Sequence, residues 1–169
     1  MLFDKEFEFQ GKHANYCRFL KDEINLFRTF REAYTVSAIV GFINSSKSER
    51  DVKKKDEEKV QPASVLPSEL AQRRPALTYI YRLMMLLEPI PNGDIKQYQD
   101  RTFRDDADAS KNPEKLAENM RLFNSYVLGG IEIIHERFKD CKSKKDTANT
   151  LYEFLTEFFE DNGFIDIDY

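Results

Sequence analysis

The strongest constraint on this fold is a stripe of apolar side chains in the second half of the sequence. Apolar residues recur there every three or four positions: Leu116, Met120, Phe123, Val127, Ile131, Ile134 and Phe138. This spacing places one apolar side chain on the same face at each helical turn, so it predicts a long amphipathic helix over 113–139. Asn112 is suited to the N-cap, and Pro113 is well tolerated at the first helical position because its missing N–H would have no partner there.

Two adjacent glycines, Gly129 and Gly130, interrupt this predicted helix midway. Each costs about 1 kcal/mol relative to alanine in a helix interior. A crossing helix that needs close approach, or a kink, would explain the pair. Small residues also recur at near-helical spacing within the apolar segment 33–43: Ala33, Ser37, Ala38 and Gly41. A neighbouring helix could approach this segment closely, and we expect it to be central and buried because it is apolar on most sides.

Most of the remaining chain also has helical periodicity. Thr29 and Glu32 have the form of a capping box, which predicts a helix over 29–45. Further helices are predicted over 12–24, 75–88, 94–104 and 146–161, and a short helical turn opens at Pro67. At 169 residues the chain is long enough for one hydrophobic core. The predicted fold class is therefore all-α: a single-domain helical bundle of about five or six helices over 1–169, with a short extended N-terminal arm.

Two segments fall outside the helical pattern. Phe3, Phe7 and Phe9 stand among charged residues with a period of two, which is typical of an edge strand or an extended arm. Residues 44–62 are polar and nearly free of apolar side chains, which predicts a charged mobile loop at about 46–61. The residues that we expect to be most buried are Ile39, Leu83 or Met84, Phe123, Val127, Ile131, Leu155 and Phe158.

The charge of the chain narrows the classes of partner. Its net charge is −4, which argues against a dedicated nucleic-acid-binding protein. No lysine or arginine follows Lys145, so the C-terminus is acidic and is a candidate surface for a basic partner. The charged N-terminus and the two isolated cysteines, Cys17 and Cys141, predict a cytoplasmic protein with reduced thiols and no membrane association.

No sequence motif indicates a specific chemistry. Phosphate-binding glycine loops, zinc-protease motifs and nucleophile elbows are absent from the sequence. His13 and Cys17 supply only half of a zinc site, and Asp105, Asp106 and Asp108 fall in a predicted loop. We therefore assign no catalytic residues, no metal and no cofactor. A small metal-dependent enzyme that uses this aspartate cluster or His135 is a third hypothesis.

Three segments resemble a known group of proteins. Residues 27–42, 79–87 and 122–132 are similar to small accessory proteins of bacterial anti-phage defence gene clusters, of the type associated with DNA phosphorothioation. The resemblance covers about half of the chain and contains no catalytic signature. It implies an accessory subunit that binds a larger protein of the same system, such as a nuclease, an ATPase or a DNA-modifying component.

The leading functional hypothesis is accordingly a non-catalytic adaptor that acts by protein–protein binding. Residues 27–42 and 122–131 are mostly apolar and are predicted to build the core, which leaves the two ends of the chain as exposed contact segments that could dock by strand addition or groove insertion. The predicted partner-binding residues are Phe3, Phe7, Phe9, Phe164, Ile165, Ile167 and Tyr169. The alternative is a DNA-interacting helper subunit, acting only within a complex, whose phosphate-binding residues would be Arg73, Arg74, Arg82, Arg101 and Arg104.

Overall fold

A computed structural model describes residues 1–51, 60–105 and 113–163 of the chain. Of these residues 68% are helical, and the strands among them form one small two-stranded sheet, so the all-α prediction is confirmed. The described ranges contain seven α-helices: α1 (Gly11–Arg18), α2 (Phe30–Ile43), α3 (Pro67–Gln72), α4 (Arg74–Leu87), α5 (Ile95–Gln99), α6 (Pro113–Phe138) and α7 (Lys144–Asp161). Two π-helical segments, Phe19–Glu23 and Asp100–Arg104, continue α1 and α5.

The centre of the fold is the crossing of α2 over α6. A Cβ atom on Gly130 would lie 1.9 Å from the carbonyl oxygen of Ser37, and one on Gly41 would lie 2.0 Å from that of Tyr126. The two backbones are therefore in direct contact, and glycine is required on both helices. Helix α6 runs unbroken through Gly130, so close approach rather than a break in the helix accounts for the glycine pair.

The predicted helix starts are largely as observed. The Thr29 hydroxyl accepts a hydrogen bond from the Glu32 amide at 3.1 Å, and α2 begins at the next residue. Asp94 and Gln97 cap each other reciprocally, at 2.8 and 2.9 Å, as a capping box predicts. Helix α7 begins two residues before its predicted start, because the Ser143 side chain serves as its N-cap.

The N-terminal arm is a strand, but its aromatic side chains point inward. Strand β1 (Phe7–Phe9) pairs antiparallel with β2 (Ala63–Val65), a strand that the sequence pattern did not predict. The expectation that Phe3, Phe7 and Phe9 are exposed is wrong, since they are only 3%, 5% and 0% exposed. Successive side chains of a strand point to opposite sides of the sheet. In the pair with β2, the phenylalanines of β1 therefore face the helices while Glu8 faces outward.

These phenylalanines complete an aromatic cluster at the base of α2 and α6. The Phe3 ring meets that of Phe123 edge-on with 5.4 Å between centroids, and Phe7 packs on Tyr34 at 4.8 Å. Tyr81 of α4 joins the cluster through Phe123 at 6.1 Å. The arm is therefore part of the core, not a detachable segment.

The predicted core is correct in α6 and wrong at three other positions. Phe123, Val127, Ile131 and Met84 are buried, as expected. Ile39 is 37% exposed because α6 covers only the opposite side of α2. Leu155 is 41% exposed and Phe158 is only half-buried, because α7 packs mainly against the end of α6.

The first residues of the predicted charged loop are attached to the helices. The Ser48 amide donates to the carbonyl of Ser125 at 3.0 Å, and the Ser46 amide donates to that of Gly41 at 2.8 Å. Arg50 lies over the ring of Phe7 at 5.8 Å. Residues 52–59 of the predicted loop lie outside the described residues.

Phe123→Ala is expected to lower the free energy of unfolding by about 3–5 kcal/mol, because the ring is fully enclosed and its loss leaves a cavity. Urea denaturation measures the change. Leu87→Ala, at a side chain that is 61% exposed, is the matched control and should change stability by less than about 1 kcal/mol. Equal effects of the two substitutions would show that Phe123 does not contribute to the core as described.

Gly130→Ala distinguishes helix propensity from packing by the sign of its effect. Propensity alone predicts stabilisation by about 1 kcal/mol. The contact with the Ser37 carbonyl predicts the opposite, a destabilisation of about 1–3 kcal/mol or more, because the two backbones must separate. A rise in melting temperature for this variant would contradict the close crossing of α2 and α6.

Candidate functional site

The five arginines of the phosphate-binding hypothesis do not converge on one surface. Arg101 donates to the carbonyl oxygens of Met85 and Glu88, and so caps the C-terminal end of α4. Arg104 pairs with Asp100 at 2.9 Å on the exposed side of its own helical segment.

The remaining three arginines lie along α4. Arg73 and Arg74 are at its start, and Arg82 is in its middle, over the ring of Phe103 at 5.7 Å. A helix rises by about 1.5 Å per residue, so the start of this helix lies roughly 20 Å from the end that Arg101 caps. The five arginines therefore make contacts in separate parts of the fold.

The candidate metal ligands are also separated. Asp105 is buried and accepts a hydrogen bond from Asn119 at 3.0 Å, while Asp106 and Asp108 lie outside the described residues. His13 and Cys17 are both buried, and the pKa of the Cys17 thiol is raised by burial. Within the described ranges, no group of three or more histidine, cysteine or acidic side chains is arranged to hold a metal ion.

A polar cluster joins α1 to α6 around one carboxylate oxygen. Oε1 of Glu132 lies 2.8 Å from Nε2 of His13, 2.8 Å from Nζ of Lys12 and 2.7 Å from Oγ of Ser48. We call these four residues the Glu132 junction. Because a carboxylate only accepts hydrogen bonds, Nε2 of His13 carries the proton.

The Glu132 junction does not have the geometry of a nucleophilic site. The Ser48 hydroxyl donates to the carboxylate and not to a histidine, so the junction lacks the serine–histidine pair of a nucleophilic site. Burial is the largest single effect on Glu132, and by itself it would raise the pKa of the carboxyl. The hydrogen bonds from Lys12, Ser48 and His13 together outweigh burial, so the pKa of Glu132 is lowered. The carboxylate is thus held ionised, and its contacts fix α1 and the segment after α2 against α6.

His135 lies one helical turn beyond Glu132, in the wall of an open cleft. Its ring stacks on Tyr16 with 3.8 Å between centroids, and Phe19 meets it edge-on at 5.4 Å. Burial is the main cause that lowers its pKa, so the imidazole is neutral near pH 7. These contacts make His135 part of the packing between α1 and α6.

Helices α2 and α4 lie side by side and run in the same direction. At their starts, Arg31 donates to the side chain of Gln72 at 2.6 Å. At their ends, Lys47 pairs with Glu88, which also accepts a hydrogen bond from the Tyr126 hydroxyl. Gln72 is the last residue of α3, just before α4, and Lys47 follows α2, so the two contacts tie the neighbouring ends of α2 and α4 together on both sides of the pair.

The outer surface of this helix pair is apolar. On α2, Ser37 and Gly41 face α6, and the exposed side chains lie on the opposite side of the helix. On α4, Tyr81 faces α6 and the exposed side chains again lie on the far side. Seven large side chains, exposed by 36–67%, form what we call the α2/α4 face: Val36, Ile39, Ile43, Tyr79, Leu83, Leu86 and Leu87.

The α2/α4 face is almost free of charge in a chain of which 33% is charged. Residues 33–46 contain no charged side chain, and Arg82 is the only one between 75 and 87. Contiguous apolar surfaces beyond a few hundred Å² are uncommon on monomers and mark sites of interaction. This face is therefore the candidate functional site.

This face was not predicted from the sequence, because residues 27–42 were expected to lie in the core. The available signal was that residues 33–46 carry no charged side chain on any side, which gives more apolar surface than one neighbouring helix can cover. Of the predicted contact residues, Phe164, Ile165, Ile167 and Tyr169 lie outside the described residues.

Comparison with known proteins gives no match: no family model, no curated protein and no solved structure is similar to this chain. Among the helices of the described ranges, none combines the length and the apolar character needed to span a membrane.

The Glu132 junction predicts loss of stability in mild acid. Burial lowers the pKa of His13 below its ordinary value of 6.5, and the contact with Glu132 only partly offsets this effect. Below about pH 6.5 the unfolded chain therefore binds protons more readily than the folded one, and stability falls as the pH falls. We expect the melting temperature to decrease between about pH 7.5 and 5.5.

The chain has only two histidines, which makes the control simple. His13→Gln keeps a donor toward Glu132 but does not titrate, so its melting temperature should depend less on pH than that of the wild type. His135→Asn should remove a smaller part of the dependence, because His13 is fully buried and His135 is not. An unchanged pH profile in His13→Gln would contradict the prediction.

Proposed function

We propose that this protein is a non-catalytic accessory subunit that binds another protein through the α2/α4 face. The observation that supports the proposal is the uncharged character of this surface, to which two adjacent helices contribute large apolar side chains. Protein interfaces are depleted of charge at their centres, and stable ones usually bury about 800 Å² on each partner. Seven large, partly exposed side chains on one surface are suited to form such a centre.

The polar clusters support a binding role over a catalytic one. Three side chains from other elements donate to the carboxylate of Glu132 and two to that of Glu88, and Arg101 donates to backbone carbonyls. A catalytic group needs a proton or a lone pair directed at a substrate. These groups instead direct their hydrogen bonds at other parts of the same chain.

The resemblance to accessory proteins of anti-phage defence clusters suggests the setting. On that basis the partner is a larger, cytoplasmic subunit of a bacterial multi-protein system, such as a nuclease, an ATPase or a DNA-modifying component. Such a subunit would remain bound to this protein for most of its lifetime. A persistent complex suits the α2/α4 face, because exposing an apolar surface to water costs free energy.

The test is affinity purification of the tagged protein from its native host. We expect one larger protein to co-purify with the wild type in a stoichiometric amount. Leu83→Glu places a charge at the middle of the face and should abolish co-purification. Tyr79→Glu, at a side chain that is 67% exposed, should do the same with little effect on folding.

Ile95→Glu is the matched control. Ile95 is 76% exposed on α5, outside the α2/α4 face, so the same substitution there should leave co-purification intact. Circular dichroism and thermal melting establish that each variant is folded. Retention of the partner by both Leu83→Glu and Tyr79→Glu would refute the proposal. A homodimer of the purified wild type that dissociates in these variants would refute it as well, because a second copy would then occupy the face.

A further inference from the structure

A cavity of about 460 Å³ lies between the N-terminal arm and the first turns of α6. Residues 3–7 of the arm line one side of it. One face of α6 lines the other side, where Leu116, Met120 and Asn124 follow one another at steps of four. We call this space the arm cavity. Its volume falls within the range of pockets that enclose small organic ligands, about 300–1,000 Å³.

The lining of the arm cavity is largely apolar and aromatic. It includes the aromatic residues Phe3, Phe7 and Tyr34. Leu116 and Met120 also line it, and both belong to the apolar stripe of α6 but are only partly buried. Aromatic rings pack favourably against other rings in offset and edge-on arrangements. A lining of this kind therefore favours a ligand with a flat ring system.

Three basic residues also line the arm cavity: Lys5, Arg50 and Arg121. The guanidinium of Arg50 lies over the ring of Phe7 at 5.8 Å, so a cation is placed directly at the aromatic lining. Lys5 and Arg121 are exposed and form no ion pair with any described residue. These two charges are thus available to an anionic ligand.

The carboxylates of the lining do not cancel these cations. Among the described residues there are two of them, Asp4 and Glu6, against three basic side chains. Asp4 already lies 3.2 Å from the amine of Met1. The lining is therefore locally positive in a chain whose net charge is −4, and charge complementarity favours an anion.

Asn124 adds a neutral hydrogen-bond donor to the same wall. Its Oδ1 accepts a hydrogen bond from the Tyr34 hydroxyl at 2.9 Å, and burial raises the pKa of Tyr34, so this hydroxyl stays protonated near neutral pH. With Oδ1 engaged, Nδ2 of Asn124 has no hydrogen-bond partner among the described residues. Arg121 lies three residues earlier on the same face of α6. A cation and an amide donor therefore stand next to each other, which suits a carboxylate, a group that only accepts hydrogen bonds.

We propose that the arm cavity binds a small aromatic carboxylic acid. The ring system would lie against Phe3, Phe7 and Tyr34, and the carboxylate would accept hydrogen bonds from Arg121 and Asn124. An uncharged ligand would leave these donors without a partner, and a cationic ligand would be repelled. The inference is independent of the proposed function, because the arm cavity contains no residue of the α2/α4 face.

The experiment follows the methionine methyl signals of the isotope-labelled protein by NMR while naphthalene-2-carboxylate is added as the probe. The chain has four methionines, and Met120 lines the arm cavity. Met84 and Met85 are enclosed in α4, at 1% and 0% exposure, and do not line it. The probe should shift the Met120 signal in a saturable manner and leave the signals of Met84 and Met85 in place. The variant Met120→Leu assigns the signal.

Two substitutions separate filling of the cavity from loss of charge. Ala117→Phe places a ring in the lining without changing the charge and should weaken binding by about tenfold or more. Its matched control is Ala148→Phe, at an exposed alanine of α7. Arg121→Gln should weaken binding by about tenfold, whereas Arg73→Gln, at an exposed arginine outside the cavity, should leave it unchanged. Circular dichroism and thermal melting establish that each variant is folded.

The uncharged analogue naphthalene-2-carboxamide tests recognition of the anion. It has the same rings, so it should bind the wild type about tenfold more weakly than the carboxylate and should lose little further affinity in Arg121→Gln.

Four results would overturn the inference. The first is the absence of a saturable shift of the Met120 signal with the carboxylate. The second is wild-type affinity in the folded Ala117→Phe variant. The third is equal affinity of the wild type for the carboxylate and the carboxamide, since the cations would then have no part in recognition. The fourth is an equal loss of affinity in Arg121→Gln and Arg73→Gln, which would indicate unspecific attraction by charge.

Discussion

The backbone contact between α2 and α6 determines the arrangement of the other elements. Because Gly41 and Gly130 bring the two helices together without side chains between them, α6 covers only a narrow side of α2. The aromatic cluster then fills the space at one end of the crossing, and α4 packs beside α2 through its own buried side. The outer side of α2 is left exposed, although it is as apolar as the inner side.

The helices could be predicted because their signals are local. Periodicity, caps and prolines act within a few residues, so α2, α4 and α6 begin and end close to the predicted positions. The burial of the N-terminal phenylalanines could not be predicted in this way. It depends on the pairing of Phe7 with Val65, and three-residue strands give too short a pattern to identify such a distant partner.

The candidate site was predicted less well than the fold, for the same physical reason. His13 and Glu132 are 119 positions apart in sequence, so nothing in the sequence near either residue indicates that the two form a hydrogen bond. Likewise, the exposed leucines of α4 look like core residues when that helix is considered alone. Only the contacts that tie α4 alongside α2, with the inner side of each helix toward α6, show that the two apolar stripes lie on the same outer side.

The distribution of charge connects the fold to its proposed roles. Partly buried ionised groups hold the elements together: Glu132 joins α1 to α6, and Glu88 joins the end of α4 to the segment after α2. Burying such groups has a desolvation cost, and their benefit is to fix one arrangement of helices among several that apolar packing would permit. With the neighbouring ends of α2 and α4 tied together on both sides of the pair, the outer surface between these contacts needs no charge of its own. The α2/α4 face can therefore remain uncharged, as the centres of protein interfaces usually are.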